Sequence, residues 1–421
     1  DPEEIWEKTL KTLKQVIKKS IKLSGKILTI GITNQRETTL VWDKITGKCI
    51  YNAIVWQDRR TFAYCSLLRK KGFEKIIKSK TGLLLDPYFS STKIKWIIDN
   101  VPTAKKLLKK NRLLFGTIDT FLIWKLTNGK IHATDETNAS RTMLYNIKKN
   151  TWDKQILKIF KIPSKILPVV KNSADNYGCT EKTLTNKSFP ITGVIGDQQA
   201  SIIGQGCFSK GSIKITYGTG AFAIMNTGSK IVNSKNKLLS TICYRINNKT
   251  TYALEGSIFI AGASIQWLRE KLKIIENLKL IENVLKKTKK KSEIYFVPAF
   301  TGLGAPHWNP NARGIITGLT RDTDRNDIIK AALESVVYQS IDLFNSMKDD
   351  GFKPKIVKID GGMTQNNWFN QFLSDVSNLK ILKSYNKETT ALGAAIIAGY
   401  GIRIFKSMYQ IYVGFYLRRI Y

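Results

Sequence analysis

The chain has 421 residues, and 43% of them are hydrophobic, which excludes a disordered protein and suffices for two or three domains with cores of their own. Lysine and arginine number 68 against 32 aspartate and glutamate residues, so the net charge is +36. Because the lysines are spread along the chain and alternate with apolar residues at helical spacing, they indicate solvated helix faces rather than a nucleic-acid surface.

Strand and helix patterns alternate through the first half of the sequence. Residues 27–32 form a short apolar run that predicts a strand, and residues 33–38 form the polar turn after it. Residues 40–42 and 49–55 predict a hairpin. Apolar residues then recur three and four positions apart, which predicts helices over residues 59–70, 73–80, 91–99 and 117–126.

The pattern changes after residue 210. Runs of β type, separated by Gly, Asn and Ser turns, predict a second sheet from residues 212–217, 221–226, 240–246 and 251–254. The later elements are predicted helices over residues 263–272 and 326–347, a strand over 355–359, and helices over 366–377 and 389–398. We therefore predict an α/β protein with domains at residues 1–205 and 206–421.

The five cysteines are scattered and form no Cys-x-x-Cys pair, so the sequence suggests neither a disulfide framework nor a zinc site. It also contains no apolar run long enough to span a bilayer, and its acidic first residues do not resemble a signal peptide. We therefore expect a cytoplasmic protein that binds no membrane.

Two predicted strand ends carry residues that could act on a polyol. Arg36 and Glu37 follow the first strand, and a cation beside a carboxylate can donate to and accept from hydroxyl groups. Asp197 and Gln198 follow the apolar run at residues 191–195, where a carboxylate can act as general base toward a hydroxyl. Simpler explanations stay open, namely a solvated turn for Arg36 and Glu37 and a helix cap for Asp197.

Glycine-rich loops at residues 217–220, 261–266 and 360–366 could bind phosphate or a nucleotide, because small residues let backbone N–H groups approach a ligand. Any one of them could equally be an ordinary turn. The chain has no Gly-x-x-x-x-Gly-Lys-Ser/Thr sequence, which excludes a P-loop NTPase, and no protein kinase motif set. Trp56, Tyr88 and Phe222 lie near the candidate loops and could cover a ligand's carbon skeleton or belong to the core.

Several segments taken together resemble glycerol kinases, which belong to the FGGY family of carbohydrate kinases. The match runs in order from residue 1 to about residue 400 and rests on residues 31–39, 51–57, 86–89, 115–119, 137–143, 196–199, 299–306 and 360–362. Two looser signatures of the wider family lie at residues 88–100, which include Lys93, and at residues 314–334.

The resemblance implies two actin-like (ribonuclease H-like) α/β domains with a ligand cleft between them, and the ATP-dependent, Mg²⁺-assisted phosphorylation of glycerol to sn-glycerol 3-phosphate in glycerol catabolism. It implies that Asp197 is the catalytic base. By the same analogy, the substrate-binding residues are Arg36, Glu37, Trp56, Tyr88, Asp197, Gln198 and Phe222. The ATP-binding residues are Thr219, Gly262, Gln266, Gly362 and Asn366, and no residue is assigned to a metal.

The chain also departs from the family pattern. Its first residues resemble a segment well inside the family's first domain, so we expect truncation there, with loss of the opening strands and of a phosphate-binding turn. Residues 412–421 do not resemble the family, and we expect truncation there too. Residues 170–190 lack the loop of enzymes inhibited by fructose 1,6-bisphosphate. The alternatives to a glycerol kinase are a related polyol or pentulose kinase and a catalytically impaired remnant that only binds glycerol. We expect a homodimer or homotetramer and no nucleic-acid partner.

Overall fold

The computed structural model describes residues 1–277, 281, 282, 285, 293–407, 410 and 411. Within these residues the α-helices are α1 (Pro2–Lys22), α2 (Phe62–Lys70), α3 (Phe73–Thr81), α4 (Ser90–Asn100), α5 (Pro102–Lys109), α6 (Ile118–Leu126), α7 (Glu136–Ala139), α8 (Lys154–Phe160), α9 (Lys182–Thr185), α10 (Asp197–Gly204), α11 (Gly262–Glu270), α12 (Arg325–Asp349), α13 (Asn367–Ser377) and α14 (Thr389–Gly401). The strands are β1 (Ile30–Asn34), β2 (Leu40–Asp43), β3 (Leu113–Gly116), β4 (Ala133–Asp135), β5 (Tyr145–Asn146), β6 (Thr151–Trp152), β7 (Val169–Lys171), β8 (Ile191–Gly196), β9 (Ile213–Tyr217), β10 (Ala221–Gly228), β11 (Leu239–Ile246), β12 (Lys249–Ile258), β13 (Tyr295–Val297), β14 (Ile315–Thr317), β15 (Ile356–Asp360) and β16 (Lys380–Lys383).

The helices predicted from apolar periodicity are confirmed, with ends that shift by a few residues. The longest predicted helix, at residues 326–347, corresponds to α12, and its start is fixed by a capping box. Asp324 accepts hydrogen bonds from the backbone N–H groups of Asn326 and Asp327, while the Asp327 side chain accepts from the Asp324 N–H. Residues 412–421, which do not resemble the family, lie outside the described residues.

The predicted hairpin at residues 40–42 and 49–55 is present as antiparallel bridges, and β2 has a further partner that the local pattern did not indicate. Strand β2 forms its antiparallel ladder with β3, and all four residues of both strands are buried. Residues 49–55 run antiparallel to the same segment, with bridges from Cys49 to Trp42 and from Ile54 to Thr39, and the Ile50 N–H donates to the Val41 carbonyl over 3.0 Å. The apolar strand β3 from elsewhere in the chain therefore adds to the local hairpin and does not replace it.

Contacts within the chain divide it into two compact units. The first comprises Asp1–Gly206, Thr241–Tyr252 and the chain from Thr390 on, as far as it is described, and the second comprises Cys207–Ser240 and Ala253–Thr389. These units are interleaved in sequence, whereas the domains at residues 1–205 and 206–421 are contiguous and stay a prediction.

In the first unit, β1 and β8 pair in parallel, with Asn34 opposite Gly196. Helix α14 packs closely against this region. A Cβ atom added to Gly393 would lie 1.8 Å from the carbonyl oxygen of Ala200 in α10, and one on Gly31 would lie 2.4 Å from the carbonyl oxygen of Ala394. Glycine is therefore required at both positions, because backbone from a neighbouring element occupies the space of a side chain.

A six-stranded sheet has the strand order β11-β12-β10-β9-β15-β16, and its strands β9, β10, β15 and β16 lie in the second unit. Strands β9 and β15 are parallel, with Thr216 opposite Asp360, and β10 runs antiparallel to β9. The core packs α11, α12 and α13 with this sheet through buried residues such as Ile215, Val336 and Phe369. No helix in the described ranges combines the length and apolar character needed to cross a bilayer.

Candidate active site

The parallel pairing of β1 and β8 brings two predicted site segments together. Both strands end at the same edge, so Arg36, two residues after β1, meets Asp197, the first residue of α10. The Nε atom of Arg36 lies 3.3 Å from Oδ1 of Asp197. The Arg36 side chain is 2% exposed and that of Asp197 is 31% exposed, so a buried cation holds a carboxylate that solvent and ligands can reach.

Arg36 itself is held tightly. Its guanidinium donates to Oε1 of Gln199 over 3.2 Å, and a Cβ atom on Gly196 would lie 2.7 Å from Arg36 Cγ. Glycine at position 196 therefore lets the arginine side chain cross the end of β8. The interpretation of Arg36 and Glu37 as a solvated turn is wrong, because both side chains are 2% exposed.

Glu37 is a buried carboxylate between two cations. Its Oε1 atom accepts a hydrogen bond of 2.7 Å from Nε of Arg141 and lies 3.8 Å from Nε of Arg36. Its backbone carbonyl accepts from the hydroxyl of Ser90 at the start of α4. A buried carboxylate requires such charge-assisted partners, and these two also fix its direction.

The aromatic residues Trp56 and Tyr88 form a pair next to this cluster. Their ring centroids are 5.4 Å apart with an interplanar angle of 73°. Lys93, in α4, donates from Nζ to the carbonyl oxygens of Tyr88 over 2.7 Å and of Phe89 over 3.4 Å. Burial lowers the pKa of the Lys93 amine to about 8, and the nearby Glu37 carboxylate opposes this shift. The buried amine of Lys93 therefore holds the backbone at Tyr88 and Phe89 in place.

Asp197 does not cap α10 as the simpler explanation proposed. Gly196 occupies the N-cap position, and no side chain makes the capping bond. Instead, Oδ1 of Asp197 accepts from the Gln198 N–H over 2.7 Å, and the Gln198 amide donates to Oδ2 over 3.3 Å. The structure thus places Gln198 directly beside the predicted base.

A buried polar cluster supports the strand ends from behind. The backbone N–H of Gly196 donates to the Thr137 hydroxyl over 2.8 Å, and that hydroxyl donates to Asp135. Asn34 at the end of β1 donates to Asp119, which also accepts from the Thr134 hydroxyl over 2.6 Å. Burial raises the pKa of Asp119 to about 7. The residues at the ends of β1 and β8 are therefore held by hydrogen bonds as well as by the strand pairing.

In the second unit, the three glycine-rich loops meet at the ends of β9 and β15. The N–H groups of Ala261 and Ala263 both donate to the Thr219 carbonyl, over 2.9 and 3.0 Å, and the Gly262 N–H donates to the Gly218 carbonyl over 2.9 Å. Residue 361 is a glycine with φ of 96°, and a Cβ atom there would lie 2.3 Å from the carbonyl oxygen of Tyr217. The loops therefore form one backbone assembly.

The predicted ATP-binding residues lie on this assembly. Thr219 and Gly362 are exposed, and the space around Gly362 is open, since a Cβ atom there would have no neighbour within 4 Å. Gln266 is exposed on α11, and Asn366 caps α13 by accepting from the Phe369 N–H over 3.0 Å. Phe222 belongs to the same unit, on β10 opposite Thr216. A helix N-terminus beside open glycine backbone is a favourable place for phosphate.

Arg141 was not identified as a site residue from the sequence, although it is fully buried and bonded to Glu37. Its position inside the matching segment at residues 137–143 was the available signal. Within the described ranges, no group of three or more His, Cys, Asp and Glu side chains is arranged to hold a metal ion.

The comparisons with known proteins agree with the α/β fold. Residues 1–204 match the N-terminal domain and residues 213–402 the C-terminal domain of the FGGY family of carbohydrate kinases. The chain belongs to this family of two-domain α/β phosphotransferases.

Relatives within the family share about half of the sequence. A glycerol kinase from Alteromonas mediterranea is 52% identical over 409 residues, which cover 97% of this chain and 83% of the relative. A glycerol kinase from Alcanivorax borkumensis is 50% identical, covering 98% of this chain and 83% of the relative. A crystal structure of Plasmodium falciparum glycerol kinase with ADP is similar with a TM-score of 0.89 and 41% identity, over 98% of this chain and 83% of the other. A xylulose kinase from Lactobacillus acidophilus, at 22% identity and a TM-score of 0.86, shares the fold over 98% of this chain and 82% of its own.

Proposed function

We propose that this chain transfers the γ-phosphoryl group of ATP to glycerol, producing sn-glycerol 3-phosphate and ADP. The observation that carries the proposal is the arrangement of Arg36, Glu37 and Asp197. Arg36 and Glu37 are buried and supply a donor and an acceptor for hydroxyl groups. Asp197 is partly exposed and supplies a carboxylate 3.3 Å from Arg36. The identity of about 50% to proteins named glycerol kinase supports the same substrate.

In the proposed reaction, Arg36, Glu37 and Gln198 orient the glycerol hydroxyl groups, and Trp56, Tyr88 and Phe222 contact its carbon atoms. Asp197 accepts the proton of the attacking hydroxyl as its oxygen forms a bond to the γ-phosphorus and the bond to the β,γ-bridging oxygen of ATP breaks. Arg36 keeps the Asp197 carboxylate pointing in one direction, so that the base is in place before the substrate arrives.

For the nucleotide, Thr219, Gly262 and Gly362 supply backbone approach to the phosphates, while Gln266 and Asn366 lie beside the nucleoside. The Mg²⁺ that accompanies ATP would neutralise charge on the phosphates.

The test is glycerol-dependent ADP release by the purified chain with Mg-ATP. We expect turnover in the wild type and a loss of about 10²- to 10⁴-fold in kcat for Asp197→Asn, which keeps the side-chain shape but removes the base. The control is Asp99→Asn, which changes an exposed aspartate paired with Lys95 and should leave kcat unchanged.

A substrate panel separates the remaining alternatives. Faster turnover of a pentulose than of glycerol would replace the proposal by a related polyol kinase. Protection of the fold by glycerol without any ADP release would identify a protein that binds the substrate and no longer phosphorylates it.

From the resemblance to the family, we also propose that the protein is cytoplasmic and forms a homodimer or homotetramer. Light scattering of the purified chain measures the assembly directly, and a monomeric mass at micromolar concentration would contradict it.

A further inference from the structure

Arg141 was not predicted as a site residue, yet it contacts two of the predicted substrate-binding residues. It is fully buried, and its Nε donates to Oε1 of Glu37 over 2.7 Å. Its guanidinium carbon also lies 5.6 Å from the ring centroid of Tyr88 and 5.2 Å from that of Phe89. One buried cation therefore contacts both the carboxylate and the aromatic ring that are proposed to face glycerol.

We propose that Arg141 is a positioning residue of the polyol site, which holds the Glu37 carboxylate and the Tyr88 ring in the arrangement that binds glycerol. This inference rests on the proposed function, since Glu37 and Tyr88 are substrate contacts only in that proposal. Arg141 acts through these two side chains rather than on the reacting atoms.

The competition between the two arginines explains why Glu37 needs this partner. Nε of Arg36 lies 3.3 Å from Asp197 and 3.8 Å from Glu37, so both carboxylates are within its reach. Arg141 takes the shorter bond to Glu37, which leaves Arg36 with Asp197 as its nearer carboxylate. Without Arg141, Glu37 would turn toward Arg36, and the hydroxyl acceptor and the base would compete for one cation.

The chemistry of the site favours arginine over lysine. A guanidinium donates through its edge while its flat face packs against aromatic rings, whereas an ammonium group has no such face. The backbone around Arg141 is fixed as well. The N–H of Arg141 donates to the carbonyl of Asn138 over 3.0 Å, and the carbonyl of Thr142 accepts from the N–H of Ser91 in α4 over 2.9 Å.

The test compares Arg141→Met and Arg141→Lys with the wild type in steady-state kinetics. The control is Arg245→Met, which removes the partner of the buried Glu136 in the same unit and contacts none of the proposed substrate residues. We expect Arg141→Met to raise the glycerol KM by about 10- to 100-fold, the effect of losing one charge-assisted hydrogen bond. The ATP KM should stay within about twofold of the wild type.

Arg141→Lys retains the charge and keeps the test valid if Arg141→Met fails to fold. Compared with Arg141→Met, we expect Arg141→Lys to recover the stability of the fold but only part of the affinity for glycerol. Arg245→Met should lose stability without a change in glycerol KM.

A second readout uses propane-1,2-diol and propane-1,3-diol, each of which lacks one hydroxyl of glycerol. The wild type should discriminate strongly against the diol that lacks the hydroxyl bound by Glu37, and this discrimination should shrink in both Arg141 variants. A purely structural role for Arg141 would leave the ratio unchanged.

An unchanged glycerol KM and unchanged discrimination in the Arg141 variants of an active enzyme would overturn this inference alone. Equal effects of Arg245→Met and Arg141→Met on glycerol KM would overturn it as well. A wild type that neither phosphorylates nor binds glycerol would remove the proposed function, and the inference with it.

Discussion

Replacing Gly393 by alanine sets two opposing effects against each other. Alanine is the better helix former, which favours the variant by about 0.5–1 kcal/mol in the interior of α14. The added Cβ, however, would lie 1.8 Å from the Ala200 carbonyl oxygen and 2.5 Å from its carbonyl carbon. Because non-bonded contacts relax only near about 3.5 Å, the two helices must move apart by well over an ångström.

The steric effect should win. Overpacking of this kind costs about 1–3 kcal/mol and sometimes more, so we expect Gly393→Ala to lower the free energy of unfolding by about 1–2 kcal/mol after the helix-propensity gain. Ala200 lies in the helix that begins with Asp197, so displacement of α10 also moves the proposed base. Misplacement by an ångström can reduce kcat by about 100-fold.

Urea denaturation measures the stability, and glycerol-dependent ADP release measures kcat. Gly399→Ala, in the same helix, is the matched control, because its Cβ would meet only the ring edge of Phe405, at 2.8 Å, and a side chain can move aside. We expect its free energy of unfolding to stay within about 1 kcal/mol of the wild type. A Gly393→Ala variant more stable than the wild type would refute the close approach of α14 and α10.

Other predictions concern charge and the nucleotide loops. Burial raises the pKa of Asp119 to about 7, so the folded state binds this proton more tightly than the unfolded chain. The stabilisation that this raised pKa gives to the fold is fully present below about pH 4. It is lost as the pH rises to about 7, which lowers the free energy of unfolding by roughly 4 kcal/mol at ~1.4 kcal/mol per pH unit. Denaturation of Asp119→Asn between pH 4 and 8 should lack this slope, and a curve parallel to the wild type would contradict it. Glu37→Gln should raise the glycerol KM by about 10-fold or more and leave the ATP KM unchanged; equal changes in both would argue against a substrate contact. Gly262→Ala would place its Cβ 2.6 Å from the Gly218 carbonyl oxygen, so we expect a higher ATP KM with an unaltered glycerol KM, and the reverse pattern would move the nucleotide loops elsewhere.

Local patterns predicted the elements well, because periodicity and caps act over a few residues. The boundaries of α12 follow from such signals, as its capping aspartate at position 324 shows. Pairing over long sequence distances was not available from local patterns. Strand β3 as the partner of β2 is separated from it by about 70 residues, and nothing in residues 40–43 indicates it.

The candidate site shows the same division. Arg36 and Asp197 were each predicted at the end of a strand, but the parallel pairing of β1 and β8 that brings them together was known only from the structure. The role of Arg141 could not be predicted, because an arginine in a polar segment gives no sign that it will be buried against Glu37, more than 100 positions away. The packing of α14 on α10 depends on Gly393 having no side chain, and a glycine adds nothing to an apolar pattern in the sequence.

The late position of α14 in the chain affects the order of events during translation. Residues 30–34 and 191–204, which carry the strand ends of the proposed polyol site, leave the ribosome long before Gly393, yet glycine contacts with α14 complete their packing. Folding of the first unit during synthesis from the N-terminus is therefore not complete until α14 has been made. The nascent chain must keep β1, β8 and α10 in a partly covered state until almost all of the second unit has been synthesised, and it becomes competent to hold Asp197 in place only near the end of its synthesis.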